Sequence, residues 1–307
     1  MHYTVMKKES IDGLNLKEDG VYVDCTLGYA GDSSEILKRV KRGFLFAFDQ
    51  DINAINWSSK KLQEIGDNFL IIKSNFRYMK DELNNRGIDE VDGILFDLGV
   101  SSPQLDEGER GFSYHKDARL DMRMDQSQEL SAYEVVNTYD EKQLADIIFC
   151  YGEEKYARNI ARNIVKKRGE KPIETTLELV DIIKNSMPYK DTINKHPARK
   201  TFQAIRIEVN HELDILEPSI RNALDMLKVG GRLVIITFHS LEDKIVKDIF
   251  KEVTEVPKLV RGLPNIPEEY LPNFRIINKK VITPSVKENE ENNRSRSSKL
   301  RIIERIK

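Results

Sequence analysis

The sequence predicts an α/β fold, a doubly wound parallel sheet interrupted by an all-helical insertion. Three observations carry this. Short apolar runs alternate with amphipathic stretches over the first hundred residues, as parallel strands joined by helices do. A long block then shows apolar residues only at helical spacing. Near the end of that block a strongly apolar strand returns, at Arg232 to Phe238, so the helical block interrupts the sheet domain.

In order, the strands are expected at Val21 to Thr26, Phe44 to Phe48, Phe69 to Ile72 and Ile94 to Leu98. Between them, helical spacing runs over Ser33 to Val40, Ile52 to Ile65 and Met79 to Arg86, with Asp32 or Ser33 as the N-cap of the first helix. Ser101 to Asp125 is rich in Ser, Asp, Gly and Arg and too long for an ordinary connection, which marks a functional loop. Helical spacing resumes from Ala132 to about Asn185 and from Phe202 to Leu227. A Gly230-Gly231 turn precedes the returning strand, the helix Leu241 to Phe250 follows it, and short strands are expected at Ile276 to Ile282 and Leu300 to Ile306. The division is therefore a sheet domain of residues 1–125 and 228–307 around a helical domain of residues 126–227.

Composition bounds the function. The chain has 307 residues and a formal net charge of -2, with 33% charged and 39% hydrophobic residues, too apolar for disorder and too balanced for a wholly basic nucleic-acid binder. It has neither a membrane-length apolar run nor a signal-peptide start, so a cytoplasmic location is expected. Cys25 and Cys150 are too few and too far apart for a disulfide framework. His2, His115, His196, His211 and His239 show no paired spacing, so no metal is expected.

Open parallel sheets bind ligands outside the carboxyl ends of their strands. The first strand is followed by a turn containing Gly28 and Gly31, which lets a ligand approach backbone at a helix start. The second ends at Asp49, where an acid accepts from ribose hydroxyls; Asn75-Phe76 follows the third; the fourth ends at Asp97. Singly, the glycines also suit plain turns, Asp49 a surface acid and Phe76 core packing. Asp97 is the sharpest signal, because a carboxylate ending the run Ile94-Leu95-Phe96 needs a partner or a job. Together the strand ends describe a nucleoside-cofactor cleft, and the glycine spacing departs from the GxGxxG of nicotinamide dehydrogenases.

Several longer motifs are specific. Asp97-Leu98-Gly99-Val100-Ser101-Ser102-Pro103-Gln104-Leu105-Asp106, Arg110-Gly111-Phe112-Ser113 and Leu120-Asp121-Met122-Arg123-Met124-Asp125 resemble the bacterial 16S ribosomal RNA cytosine-N4 methyltransferase family. So do Tyr151-Gly152-Glu153-Glu154, His196-Pro197-Ala198-Arg199, Val209-Asn210-His211-Glu212-Leu213, Phe238-His239-Ser240-Leu241-Glu242-Asp243-Lys244 and the tail from Asn293 to Arg301. The resemblance spans nearly the whole chain. It implies a class I, Rossmann-like sheet binding S-adenosylmethionine, an inserted helical domain for substrate recognition, and methylation of the exocyclic N4 amine of a decoding-region cytidine. The partner would be 16S RNA in the small subunit or an assembly intermediate. Cofactor contacts carried over residue by residue are Ala30, Gly31, Asp32, Asp49, Phe76, Asp97 and Gln104. Two positions depart from the family: Asp32 stands where it has His, and Arg119 where it has Pro. An Asp32 acting as an N-cap would be tolerated.

Amino-methyl transfer needs nitrogen, methyl and sulfur held in line and a proton accepted from the amine, with no metal. Asp97 with Ser101, Ser102 and Pro103 resembles the strand-four loop of other amino-methyltransferases, which makes these the candidate catalytic residues. The aromatic member of that loop is missing, so a base-stacking residue is sought in Phe112 or Tyr114. Arg123, His239, Arg294, Arg296 and Lys299 are the remaining RNA-contact candidates, and Arg158, Arg162, Lys166, Lys167 and Arg168 form a basic helix face that suits phosphates or solvent equally. The rivals are a DNA amino-methyltransferase and a non-catalytic RNA-binding assembly factor on the same fold.

Overall fold

The computed structural model describes residues 4–193 and 195–307, and of Ser102 its backbone. Seven strands form one sheet: β1 (Val21–Asp24), β2 (Phe44–Asp49), β3 (Phe69–Lys73), β4 (Val91–Asp97), β5 (Leu227–Thr237), β6 (Phe274–Ile276) and β7 (Lys299–Arg305). They lie in the order β3-β2-β1-β4-β5-β7-β6. Pairing is parallel from β3 to β5, and β7 runs antiparallel to both β5 and β6.

The alternation of side chains along a strand builds the two faces. Val23, Ile94, Phe96, Leu233 and Ile235 point to one side, where Leu216, Ile220, Val246 and Phe250 of helices Leu216–Asp225 and Ser240–Thr254 cover them. Tyr22, Leu45, Leu95, Val234 and Ile236 point to the other, against Ile11, Ile36 and Leu62 of helices Lys7–Gly13, Gly31–Arg39 and Ile52–Gln63. β4, buried on both faces, accounts for the near-continuous apolar run.

The chain divides into two compact units, one reaching to Gly99 and resuming at Leu213, the other Val100–Glu212. The second has its own core, in which Val135, Leu144, Ile160, Leu179 and Phe202 of five helices meet Phe112, Leu120 and Met122 from the long loop. Two expected boundaries therefore move: the loop of residues 100–125 belongs with the helices, and helix Leu216–Asp225 belongs with the sheet. β5 also begins earlier than expected. Leu227 already pairs with Val91, and the register then shifts so that Gly93 pairs with Arg232. Gly230, at φ 82°, lies inside this irregularity, so the two glycines form a bulge within the strand instead of a turn before it. The expected strand Ile276 to Ile282 shrinks to Phe274–Ile276, with Ile282 making an isolated bridge to Leu300.

In the helical unit the loop path is set by Arg119, which bridges to Thr175. The bonds are Leu120 N to Glu174 O (3.0 Å) and Thr176 N to Ala118 O (2.8 Å), and neither uses the N–H of Arg119. A proline at that position is compatible with the same bridge, which removes the conflict with the family pattern. Gly111 sits against this bridge at φ 71°, and a Cβ there would collide with the carbonyl of Arg119. Gly111→Ala should cost about 2–4 kcal/mol from the left-handed backbone and the backbone clash combined. Gly87→Ala, at φ 75° with open space around it, should cost only about 1–2 kcal/mol. Urea denaturation would check this, and equal midpoints for the two variants would refute it.

Candidate active site at the carboxyl edge of the sheet

Strand order reverses between β1 and β4, so the switch-point crevice opens where Asp24 and Asp97 end those strands. The two ends are tied together, since Asp97 N donates to Thr26 Oγ1 at 2.7 Å. Asp24 is buried and fully engaged: Oδ2 accepts from Ser33 Oγ at 2.6 Å and Oδ1 from Thr26 N at 3.0 Å. Asp97 differs. Its Oδ1 is buried and has no hydrogen-bond partner among the described residues.

The turn between β1 and the next helix is braced from two sides. Gly28 and Ala30 both take left-handed backbone, at φ 47° and 54°. Helix Ile52–Gln63 holds the turn's carbonyls, with Ser58 Oγ donating to Gly28 O at 2.7 Å and Lys61 Nζ to Tyr29 O and Ala30 O at 3.1 and 3.2 Å. From β2, Asp49 Oδ2 accepts from Gly28 N and Oδ1 from Asp51 N, each at 2.8 Å. Asp49 is thus a brace of the glycine turn as well as a strand-end acid. Gly31 is required by packing, because a Cβ there would collide with the hydroxyl of Thr4.

Asp32 is not the N-cap. Ala30 occupies that position, and Asp32 lies in the first turn, buried, with Oδ1 2.9 Å from Ser10 Oγ of the N-terminal helix. Three buried acids therefore converge here. Burial, then the neighbouring Asp24 charge, pushes Asp32 up to about 8. Burial raises Asp24 too, and lifts Asp97 well above the carboxylate range with help from Asp32, Asp24 and Glu242. Asp49 is pushed up to about 6, chiefly by burial. Such a set favours a ligand that brings positive charge.

Phe76 opens a short 3-10 turn capped by Asn75, and its ring stands edge-on to Phe96 at 5.4 Å. It is half-buried, as a residue serving both core and ligand would be.

His239 is an internal cap in the same unit. Its Nδ1 accepts from Glu242 N at 3.4 Å, and its side chain is 8% exposed, which removes it as a surface contact. Arg294 and Arg296 are exposed on the turn Asn293–Ser297, whereas Lys299 pairs with Asp243 at 2.8 Å. Their segment is ordered by a short turn with Ser295 and Ser298 buried in it.

In the helical unit, Ser101 and Gln104 cap each other at the start of helix Ser102–Asp106: Gln104 N donates to Ser101 Oγ at 3.4 Å and Ser101 N to Gln104 Oε1 at 3.0 Å. Pro103 lies in that helix's first turn, and the Ser102 side chain lies outside the described residues. Phe112 is buried in the helical core near the Arg110 guanidinium and offers no face to a base. Tyr114 stacks on His196 with centroids 4.4 Å apart. Arg123 is spent on its own loop, binding Asp121 through Nε and Nη2 at 3.0 and 2.8 Å and Gln128 O at 2.7 Å. Asn210 pins that loop by accepting from Met124 N and donating to Met122 O, both at 2.8 Å. On the basic helix, Lys167 pairs with Glu170, Arg162 with Glu141, and Arg168 binds Val136 O, which favours a solvated face over a phosphate site.

Sequence reasoning missed Asp24, although it ends an apolar strand as Asp49 and Asp97 do. Ser10, Ser58 and Lys61 carry no local signal, because their partners lie 22 to 32 residues away.

A mixed sheet of this order with one reversed strand, a glycine turn after β1 and acids ending β1, β2 and β4 defines a Rossmann-like methyltransferase domain. The sequence model of the MraW methylase family matches residues 1–306. Ribosomal RNA small subunit methyltransferase H of Exiguobacterium sibiricum is 56% identical over 307 residues, covering 100% of this chain and 98% of that protein. The chain belongs to the MraW methylase family. It is a methyltransferase, and its methyl donor is S-adenosylmethionine. More distant similarity extends to an rRNA methylase from Streptococcus thermophilus, with TM-score 0.45 and 13% identity, covering 97% of this chain and 95% of that one. A putative methyltransferase from Streptococcus mutans in complex with SAH gives TM-score 0.44 and 14% identity over 99% of each chain.

Proposed function

We propose that this chain methylates the exocyclic N4 amine of a cytidine in the decoding region of 16S ribosomal RNA, in the small subunit or an intermediate of its assembly. The observation that carries the site is Asp97 Oδ1, a buried acceptor with no partner beside two further buried acids. It fits S-adenosylmethionine, a ligand with a sulfonium and an ammonium. When bound, the cofactor supplies the activated methyl group. In this reading Asp49 accepts from the ribose hydroxyls, Phe76 lines the base, and the Ala30-Gly31-Asp32 turn holds the amino-acid end; Gln104 is the further cofactor contact that the family resemblance implies. A cytoplasmic location goes with a ribosomal substrate, and among the described residues no helix is long and apolar enough to cross a membrane.

The chemistry asked of the protein is modest. The cytosine amine is a weak nucleophile because its lone pair is delocalised into the ring. Acceptors on its N–H bonds favour pyramidal nitrogen, which relocalises the pair, and one of them takes the proton. Asp97 is assigned that place, together with the backbone of Ser101, Ser102 and Pro103, four to six residues further along the chain. The mutual capping of Ser101 and Gln104 supports the reading, since it stiffens the loop that would present those carbonyls. The base must be single-stranded or splayed out, because a paired amine is out of reach. The helical unit is assigned to holding RNA, with Arg294 and Arg296 adding phosphate contacts.

Small subunits and naked 16S RNA incubated with the protein and methyl-labelled cofactor, digested and read by nucleoside mass spectrometry, test the assignment. Labelled N4-methylcytidine at one decoding-region position is expected. Label on another nucleoside, or on DNA alone, would overturn it, and cofactor binding without methyl transfer would favour an assembly factor. Asp49→Ala should weaken cofactor binding about 10- to 100-fold, from the loss of hydrogen bonds to a charged acceptor. Because Asp49 also braces Gly28, the variant should show a small loss of thermal stability as well. Calorimetric affinity equal to the parent would remove Asp49 from the site.

A further inference from the structure

The contacts of Ser10 carry an inference beyond the methyl-transfer reading. Ser10 Oγ lies 3.0 Å from Lys7 O and 2.9 Å from Asp32 Oδ1. A serine hydroxyl has one hydrogen, and a carbonyl and a carboxylate oxygen are both acceptors. With Asp32 ionised, that single hydrogen has to be shared between two acceptors, which weakens both bonds. With Asp32 protonated, both are hydrogen bonds: Ser10 donates to Lys7 O, and the Asp32 hydroxyl donates to Ser10 Oγ.

The surroundings agree. Asp32 is buried and faces Asp24 from β1 and Asp97 from β4, with Glu35 on its own helix. Among the described residues the facing cations are Lys7 on the N-terminal helix and Lys61 on helix Ile52–Gln63. Lys7 is half-exposed and 3.9 Å from Glu35, and the Lys61 ammonium is held by Tyr29 O and Ala30 O. Neither forms an ion pair with Asp32, and three adjacent buried carboxylates cannot all ionise at low cost.

We infer that Asp32 is a neutral acid in the cofactor-free protein and surrenders its proton when the cationic methyl donor binds, so that the site distinguishes sulfonium donor from uncharged thioether product by proton release. This rests on the cofactor reading above. The proton passes from Asp32 to the buffer, Asp32 becomes a carboxylate, and the Ser10 hydroxyl turns from Lys7 O to Asp32 Oδ1. Only an O–H bond breaks, and the charge gained by the site on binding offsets the charge lost by the acid. Donor affinity should then rise with pH by up to about tenfold per unit over the range in which Asp32 holds its proton.

Two measurements on the full chain test this. Calorimetry with S-adenosylmethionine and S-adenosylhomocysteine, in buffers of different ionisation enthalpy, counts protons. The parent should release about one more proton with the donor than with the product, and Asp32→Asn should abolish the difference. Equal release for both ligands, or an unchanged difference in the variant, would overturn the inference while leaving the cofactor reading intact. Failure of the parent to bind the donor would overturn both. Infrared spectroscopy of the cofactor-free protein needs no ligand. Asp97 contributes a protonated-carboxyl band of its own; a second component should be present at neutral pH, be lost in Asp32→Asn, and move to higher frequency in Ser10→Ala, where the acceptor hydroxyl is gone. Absence of a component that responds to Ser10→Ala would overturn the inference even if the asparagine variant failed to fold.

Discussion

Replacing Asp97 with alanine should cut turnover at saturating cofactor by about two to four orders of magnitude, the usual share of a positioned proton acceptor. The backbone at this position is independently held: Asp97 N donates to Thr26 Oγ1, and β4 is paired with β1 on one side and β5 on the other. The loss should therefore come from the carboxylate and not from a displaced strand. Alanine also removes a buried acid that burial and Asp32 disfavour, so thermal stability should hold or rise. Rate and affinity must be measured together. A fall in rate at saturating cofactor supports the acceptor role, whereas a fall in affinity alone would assign Asp97 to cofactor binding and leave the loop carbonyls to hydrogen-bond the amine while its proton passes to solvent. Full activity on a small-subunit RNA substrate would refute both.

Asp32→Asn should make the protein more stable than its parent at neutral and alkaline pH. The carboxyl sits at about 8 in the folded chain against an ordinary 3.8. The folded state therefore holds the proton more tightly, and stability is fully present below about pH 4 and is lost as pH rises through the folded value near 8. The slope is at most about 1.4 kcal/mol per pH unit for one proton. Asparagine does not titrate and can still donate to Ser10 Oγ, so the variant escapes this loss. Melting temperatures of the two proteins should converge toward pH 4, diverge up to about pH 8 and run parallel above it. Parallel curves throughout would refute the assignment. His at this position, by contrast, would have to bury a bulkier ring where Asp32 is closed in by Ser10 and Asp24, so the substitution is not the neutral exchange that a capping role would make it.

Much of this architecture is legible in the sequence. Short continuous apolar runs separated by helical spacing are enough for the sheet, and Asp49 and Asp97 stand out because acids ending buried strands are costly without a purpose. What escapes is what depends on distant partners. Asp32 reads as a cap because Asp is a good one, but Ala30 in left-handed backbone starts the helix, and the acid's partner is Ser10, 22 residues earlier. Phe112, Leu120 and Met122 look like members of a polar loop because their neighbours are Ser, Asp and Arg, yet they are core residues of the helical unit. His239 is invisible as a cap, since histidine is an unusual residue for that place and the bond is made by Nδ1.

The reversed strand has a consequence for the order in which the chain becomes a protein. β5 lies between β4 and β7, and residues 299–305, which form β7, follow every other strand in the sequence. During synthesis the helical unit Val100–Glu212 emerges whole, with a core of its own, while the sheet still lacks the strand that covers the open edge of β5. An apolar strand edge left uncovered is a template for pairing with other chains. The vulnerable species on the ribosome is thus a chain with a folded middle and an open sheet, and removal of residues 298–307 should give aggregation where loss of most surface loops would not.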